Sequence, residues 1–219
     1  MAMKIYSGPL SMFGAKAEIA LLEKGVAHER EHVGFSMATF YEPKHPEVRR
    51  INPKAQVPVL IDGDLELFDS TQIFEYLEDR YPTPALWPRD PVARARARQL
   101  ELDSDEIFFP NVVLLFPHLR AASSAQQLAA AEAAVAAGYA RMARALGERD
   151  YLAGQFTFAD IAFFMAQSFA GFVGAPLDAD RHPTLGAWRD RVAARPAVRA
   201  VIEPMQAFVA AQIAARGAA

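Results

Sequence analysis

Four prolines crowd into the eleven residues from Tyr81 to Pro91. Proline has no amide hydrogen and a locked φ, so neither a helix nor a central strand runs through such a stretch. The chain is cut in two there, and the halves have different patterns. Before the cut, short apolar runs alternate with helical periodicity; after it, every long segment reads as helix. The expected organisation is a domain over residues 1–82, a linker over 83–90 and an all-helical domain over 91–219.

In the first half, Lys4-Ile5-Tyr6 reads as a strand stopped by Gly8-Pro9, and Ala15 to Lys24 as a helix ended by Gly25. Val26 to Val33 is a second extended piece. Val57 to Ile61 and Leu65 to Phe68 flank Asp62-Gly63-Asp64, a hairpin signal. Ser70 to Arg80 then carries Ile73, Phe74 and Leu77 at helical spacing, with Gln72, Glu75, Glu78 and Asp79 opposite. The order predicts a small α/β unit.

The second half predicts a long helical segment from Val92 to about Leu119, bent at Pro110, and an alanine-rich helix over Ala125 to Leu146. Thr157-Phe158-Ala159-Asp160 carries a capping box, in which Asp160 reaches back to the amide of Thr157. The following run, rich in Phe and apolar all round, predicts a buried central helix. Leu185, Trp188 and Val192 mark another helix after Pro183, and further helices run from Pro196 to about Ala215.

Composition narrows the function. Lys and Arg number 23 against 26 Asp and Glu, a balance that points away from nucleic acid and from an anionic membrane as partners. No run of 18 apolar residues marks a membrane span, and the first residues lack the apolar core of a secretory leader, so the expected location is cytoplasmic. There is no cysteine. Thiol chemistry here would use a thiol carried in by a ligand.

His28-Glu29-Arg30-Glu31-His32 matches the H-E-x-x-H zinc pattern, but that pattern needs a helix, and eight residues separate Gly25 from Gly34. On a strand, His28, Arg30 and His32 share one solvated face, and no metal is expected. Four other signals converge. Ser11 lies in the turn before the first helix, where a hydroxyl and helix-start amides meet an anion; helix capping is its competing role, and Ser7 and Tyr6 are rival donors. Val57-Pro58 opens a strand with a proline, an edge or cis feature that leaves the Val57 backbone to pair with a peptide ligand. Asp69-Ser70 stands at a second helix start. Lys44 is a cation in the irregular segment between these elements.

On these residues the chain resembles the glutathione transferase family along nearly its whole length. Asn52-Pro53-Lys54-Ala55-Gln56-Val57-Pro58 is similar to the family's stretch before its cis-proline. Leu67-Phe68-Asp69-Ser70-Thr71-Gln72-Ile73 is similar to its E/D-S-x-x-I segment, and Thr157 to Asp160 to its S/T-x-x-D capping box. The resemblance implies a thioredoxin-like β-α-β-α-β-β-α domain followed by an all-α domain, with glutathione as co-substrate. It implies that Asp69 and Ser70 take the γ-glutamyl end, that Val57 pairs with the cysteinyl backbone, and that Gln56 and Lys44 lie toward the glycyl end. Ser11 stands where the theta- and zeta-like serine classes place the residue that donates to the glutathione sulfur.

Two functions follow from this resemblance. One is an enzyme whose glutathione thiolate attacks an apolar electrophile, by conjugation, displacement or isomerisation. The other is a non-catalytic binding or regulatory scaffold on the same fold. A homodimer is expected, from family habit and from the apolar run Phe108 to Phe116.

Overall fold

The computed structural model describes residues 3–217. Backbone packing divides the chain into two compact units, one running to Pro84 and resuming at Arg195, the other spanning Ala85–Ala194.

The first unit holds β1 (Met3–Ser7), α1 (Met12–Glu23), β2 (His28–His32), α2 (Pro46–Ile51), β3 (Val59–Asp62), β4 (Leu65–Phe68), α3 (Ser70–Arg80) and the last helix in the chain, α10 (Pro196–Gly217). Its sheet has the order β2-β1-β3-β4, with β1 and β2 parallel and the other pairs antiparallel. Ile5, Val59 and Leu60 have no exposed surface, as expected of central strands covered on both faces. The turn between β3 and β4 is the two residues Gly63-Asp64, and Gly63 supplies the positive φ that so short a connection requires. This thioredoxin-like order is the one the sequence implied. The segment between β2 and β3 is not wholly irregular, because Pro46 at the first helical position starts a short helix there.

The first helix begins at Met12, three residues before the expected Ala15, because the Ser11 side chain accepts from the amide of Gly14 and caps it. Its far end is fixed by charge. The buried Lys24 ammonium donates to the carbonyls of Tyr81 (2.7 Å) and Pro84 (2.9 Å) and pairs with Glu78 at 2.7 Å. One residue earlier, Glu23 takes a bidentate pair from Arg195, at 2.7 and 2.6 Å, so the chain re-enters this unit on an ion pair. Beyond it α10 runs as one helix along α1, where the sequence suggested several; it carries Pro204 within it.

The second unit is entirely helical: α4 (Pro91–Leu102), a π-helical turn (Asp103–Phe108), α5 (Phe109–Leu114), α6 (Pro117–Arg120), α7 (Ala125–Leu146), α8 (Phe158–Phe172) and α9 (Pro183–Ala193). The bend expected at Pro110 takes the form of the π turn just upstream. Proline cannot donate to the carbonyl four residues back and its ring crowds it, and widening the helix there relieves both constraints. The core centres on Phe108, whose ring lies 5.1 Å from Tyr139 and 5.3 Å from Phe163. Gly138 permits that approach, since a Cβ there would meet the Phe108 ring at 2.4 Å. Phe108, Phe109, Val112 and Leu115 are therefore core residues. The exposed apolar surface of α4, the π turn and α5 is carried instead by Val92, Leu102, Ile107 and Leu114. No helix among the described residues is long and apolar enough to cross a membrane.

Candidate active site

Sheet register brings the sequence-predicted residues to one place. Tyr6 pairs with Val59 and Val59 with Phe68, while Ser7 pairs with His32. The C-terminal ends of β1, β2 and β4 and the N-terminal end of β3 thus share one end of the sheet. The turns that leave it are residues 8–11, 33–45, 57–58 and 69. Both α1 and α3 start at that end, so two helix N-termini bring partial positive charge to it.

Ser11 is the N-cap of α1 and only 8% exposed. Its oxygen accepts from the amide of Gly14 at 3.0 Å, which uses a lone pair and leaves the hydroxyl hydrogen to donate. Capping and donation, set against each other from sequence, are compatible on one oxygen. The rival Ser7 is fully buried in β1, and its hydroxyl sits where a Cβ on Gly14 would fall, at 2.2 Å. It faces the underside of α1. Tyr6 is buried too, with its ring 5.0 Å from His45.

Val57 joins Pro58 through a cis peptide. Its own N–H and C=O have no hydrogen-bond partner among the described residues. The turn before it is held by Asn52, which is buried, donates from Nδ2 to the Gln56 carbonyl at 2.6 Å and accepts from the Lys54 amide at 2.9 Å. The Gln56 side chain is exposed.

Asp69 has a φ of 77°, a left-handed conformation uncommon outside glycine. It is the N-cap of α3: Oδ1 accepts from the amides of Thr71 (3.0 Å) and Gln72 (3.3 Å). Its second oxygen, Oδ2, has no partner among the described residues, nor does the hydroxyl of the 3% exposed Ser70 beside it. A backbone held in a sparsely populated region and a half-used carboxylate thus fall on one residue.

Lys44 is half-buried and pairs with Glu42 at 3.4 Å. The segment that carries it is tied back by two contacts that sequence did not reveal. The Leu10 amide donates to the Tyr41 hydroxyl at 3.2 Å, and Tyr41 lies so close over Gly8 that a Cβ there would meet the ring at 2.4 Å. Burial pushes the Tyr41 hydroxyl well above its ordinary range, so it stays neutral. Lys16, one turn into α1, has no exposed surface and lies 5.5 Å from the Phe13 ring and 5.1 Å from that of Phe74.

The H-E-x-x-H match falls on β2 and is a strand, so its two histidines stand about 13 Å apart. Its face is not simply solvated, as the sequence suggested. Arg30 Nη1 donates to Glu18 of α1 at 3.0 Å, and His32 Nε2 lies 3.5 Å from the other oxygen. Burial pushes the Glu18 carboxyl up, but the neighbouring His32, Ser7 hydroxyl and Arg30 together outweigh it and hold the group below the usual carboxylate range. Among the described residues no group of three His, Cys, Asp or Glu is arranged to hold a metal.

With this geometry in place, comparison adds family evidence. Residues 5–85 match the model of the glutathione S-transferase N-terminal domain and residues 105–196 that of the glutathione S-transferase C-terminal domain. A stringent starvation protein A homolog of Coxiella burnetii is 37% identical, over 52% of this chain and 51% of its own length, so the chain matches only about half of that relative. A glutathione S-transferase of Methylobacterium radiotolerans, solved in complex with glutathione sulfonate, is 33% identical over 92% of this chain and 94% of its own, with a TM-score of 0.78. The beta-etherase LigF of Sphingobium is 28% identical over 93% and 99%, with a TM-score of 0.77.

Proposed function

The chain belongs to the glutathione S-transferase family, and from that premise we propose that it binds glutathione at the loop end of its sheet and activates the thiol through Ser11. The observation that carries this reading is the set of open polar groups gathered there. They are a hydroxyl hydrogen on Ser11, an N–H and a C=O on Val57, an oxygen on Asp69 and the hydroxyl of Ser70. These are the complements of a tripeptide's thiol, amide backbone and α-ammonium, in an order set by the register. The Methylobacterium protein's complex supports the same ligand class. Gln56 and Lys44 extend the site toward the glycyl end, where Lys44 would exchange Glu42 for a carboxylate.

The Ser11 hydroxyl donates to the sulfur, and the N-termini of α1 and α3 favour its anion. A free thiol titrates near 8.5, so modest stabilisation raises the thiolate fraction at neutral pH considerably. The thiol proton leaves to solvent, the sulfur forms a bond to an apolar electrophile, and the electrophile's leaving group departs with the electron pair. The likeness to a beta-etherase supports displacement at an ether as one candidate reaction. We further propose a cytoplasmic homodimer, its interface including the exposed Val92, Leu102, Ile107 and Leu114.

A binding scaffold on the same fold is the second reading. It is favoured by Lys16, which stands near where many serine-type members of the family carry Arg and is fully buried against the rings of Phe13 and Phe74. One experiment separates the two readings. Calorimetric titration with glutathione is followed by thiolate absorbance of the bound ligand against pH. A bound thiol titrating well below 8.5 supports catalysis, whereas an unshifted one, or no binding at all, refutes catalysis and supports the scaffold.

A further inference from the structure

A cavity in the first unit contains none of the residues assigned to glutathione. It encloses about 240 Å³ between β2, α1 and α10, with Gly8 and Pro9 at one edge. Its base is charged: Glu18 from α1, with Arg30 and His32 from β2. Its far wall is apolar, made by Val201, Met205 and Phe208 of α10.

The hydrogen-bonding balance of the base decides what it can hold. The Glu18 carboxylate has its side chain only 4% exposed, and each oxygen already faces a donor, Arg30 Nη1 at 3.0 Å and His32 Nε2 at 3.5 Å. Arg30 carries five N–H donors and uses its Nη1 side on Glu18. Its other nitrogens have no partner among the described residues, and its side chain is 42% exposed. The open capacity at the base is therefore a planar donor fork, with the His32 imidazole beside it. A fork of this kind matches a carboxylate in two parallel hydrogen bonds. Opposite it, the α10 wall offers apolar surface and no charge. The volume lies just under the 300–1,000 Å³ of pockets for drug-sized ligands, which limits the guest to about a single ring.

We infer that this cavity is a second ligand site, taking a small monocarboxylate whose apolar ring or chain lies against α10 while its carboxylate meets Arg30. The site borders the glutathione end of the sheet through Gly8, Pro9 and His32 but uses none of the residues assigned to glutathione, and its occupancy does not depend on turnover.

The test is calorimetric titration of the full chain with 3-phenylpropionate, with and without saturating glutathione, using 3-phenylpropan-1-ol as the uncharged control. One equivalent should bind in both conditions, and the alcohol should bind about tenfold more weakly or worse, the scale of one charge-assisted contact. Arg30→Gln removes the fork and Met205→Trp fills the cavity from the other wall. Each should weaken the acid about tenfold or more while leaving glutathione affinity unchanged, with circular dichroism confirming the fold. Met205→Trp stands independently if Arg30→Gln fails to fold. Absence of binding at millimolar acid, competition with glutathione, equal binding of the alcohol, or wild-type affinity in a folded variant would each overturn the assignment.

Discussion

Two helices of this protein start on a hydroxyl beside a carboxylate, and the two starts are finished differently. At α8, the Asp160 carboxylate accepts from the amide of Thr157 (2.8 Å), the Thr157 hydroxyl (3.0 Å), the amide of Leu152 (2.9 Å) and the indole of Trp188 (2.8 Å). Both residues are fully buried. Burial pushes the Asp160 carboxyl above its ordinary range even against four donors. At α3, Asp69 uses one oxygen on two helix amides and leaves the other open, next to an open Ser70 hydroxyl. The residue types are nearly the same. What separates the scaffold at α8 from the proposed site at α3 is whether the fold itself answers each donor and acceptor, since an unanswered group remains available to a ligand.

Four substitutions test that contrast, beginning with the largest effect. Asp160→Ala leaves three buried N–H groups without partners, which should cost about 3 kcal/mol or more. Urea denaturation should show a lowered midpoint with glutathione affinity unchanged in the folded protein; a small loss would mean the α8 start is not closed as described. Ser11→Ala acts the other way round. Turnover should fall by roughly 10- to 1000-fold, as when one donor to a developing anion is removed, with glutathione affinity within a few-fold. Rates with a model electrophile such as a chlorodinitrobenzene measure this, and loss of affinity with unchanged turnover would move the thiol contact elsewhere. Ser70→Ala should weaken glutathione by about 1–3 kcal/mol and barely move the denaturation midpoint, since its hydroxyl supports nothing in the fold. If stability fell and affinity held, α3 would be a closed start like α8. Lys44→Met should have the smallest effect, about 0.5 kcal/mol of glutathione affinity, because a cation at a half-buried, already paired position near solvent gives little. Calorimetry at low and high salt checks it, and the difference should shrink as salt rises.

Much of this contrast was legible in the chain. Ser70–Arg80 and Ala125–Leu146 have the bounds that periodicity and caps suggest, because each opens on a residue whose side chain caps and then carries a regular apolar stripe. The Thr157–Asp160 box was legible for the same reason, although its bonds to Leu152 and Trp188 were not, since those partners are set by tertiary packing. Ser11, Val57, Asp69 and Ser70 stood out by type and neighbours, while their convergence needed the register. Glu18 was invisible: it is an ordinary helix glutamate until β2 brings Arg30 and His32 against it. Tyr41 was missed because its partner is a backbone amide 31 residues away. The start of α1 was misplaced because Gly14 reads as a helix breaker, yet it is the residue that lets α1 lie over Ser7.

The return of α10 to the first unit sets a condition on how the protein is made. The face of α1 that α10 covers, and the Glu23 carboxylate that Arg195 answers from 172 residues later, belong to a stretch that is complete at Pro84, about 110 residues before the chain returns to it at Arg195. At ribosomal speeds of about 5–20 residues per second, the first unit waits roughly 5–20 s with that side uncovered. The helical unit, whose residues are contiguous, can close while the earlier one is still incomplete. Order of synthesis and order of completion are thus inverted in this chain, and the nascent polypeptide carries a helix face that α10 covers only when the last helix emerges.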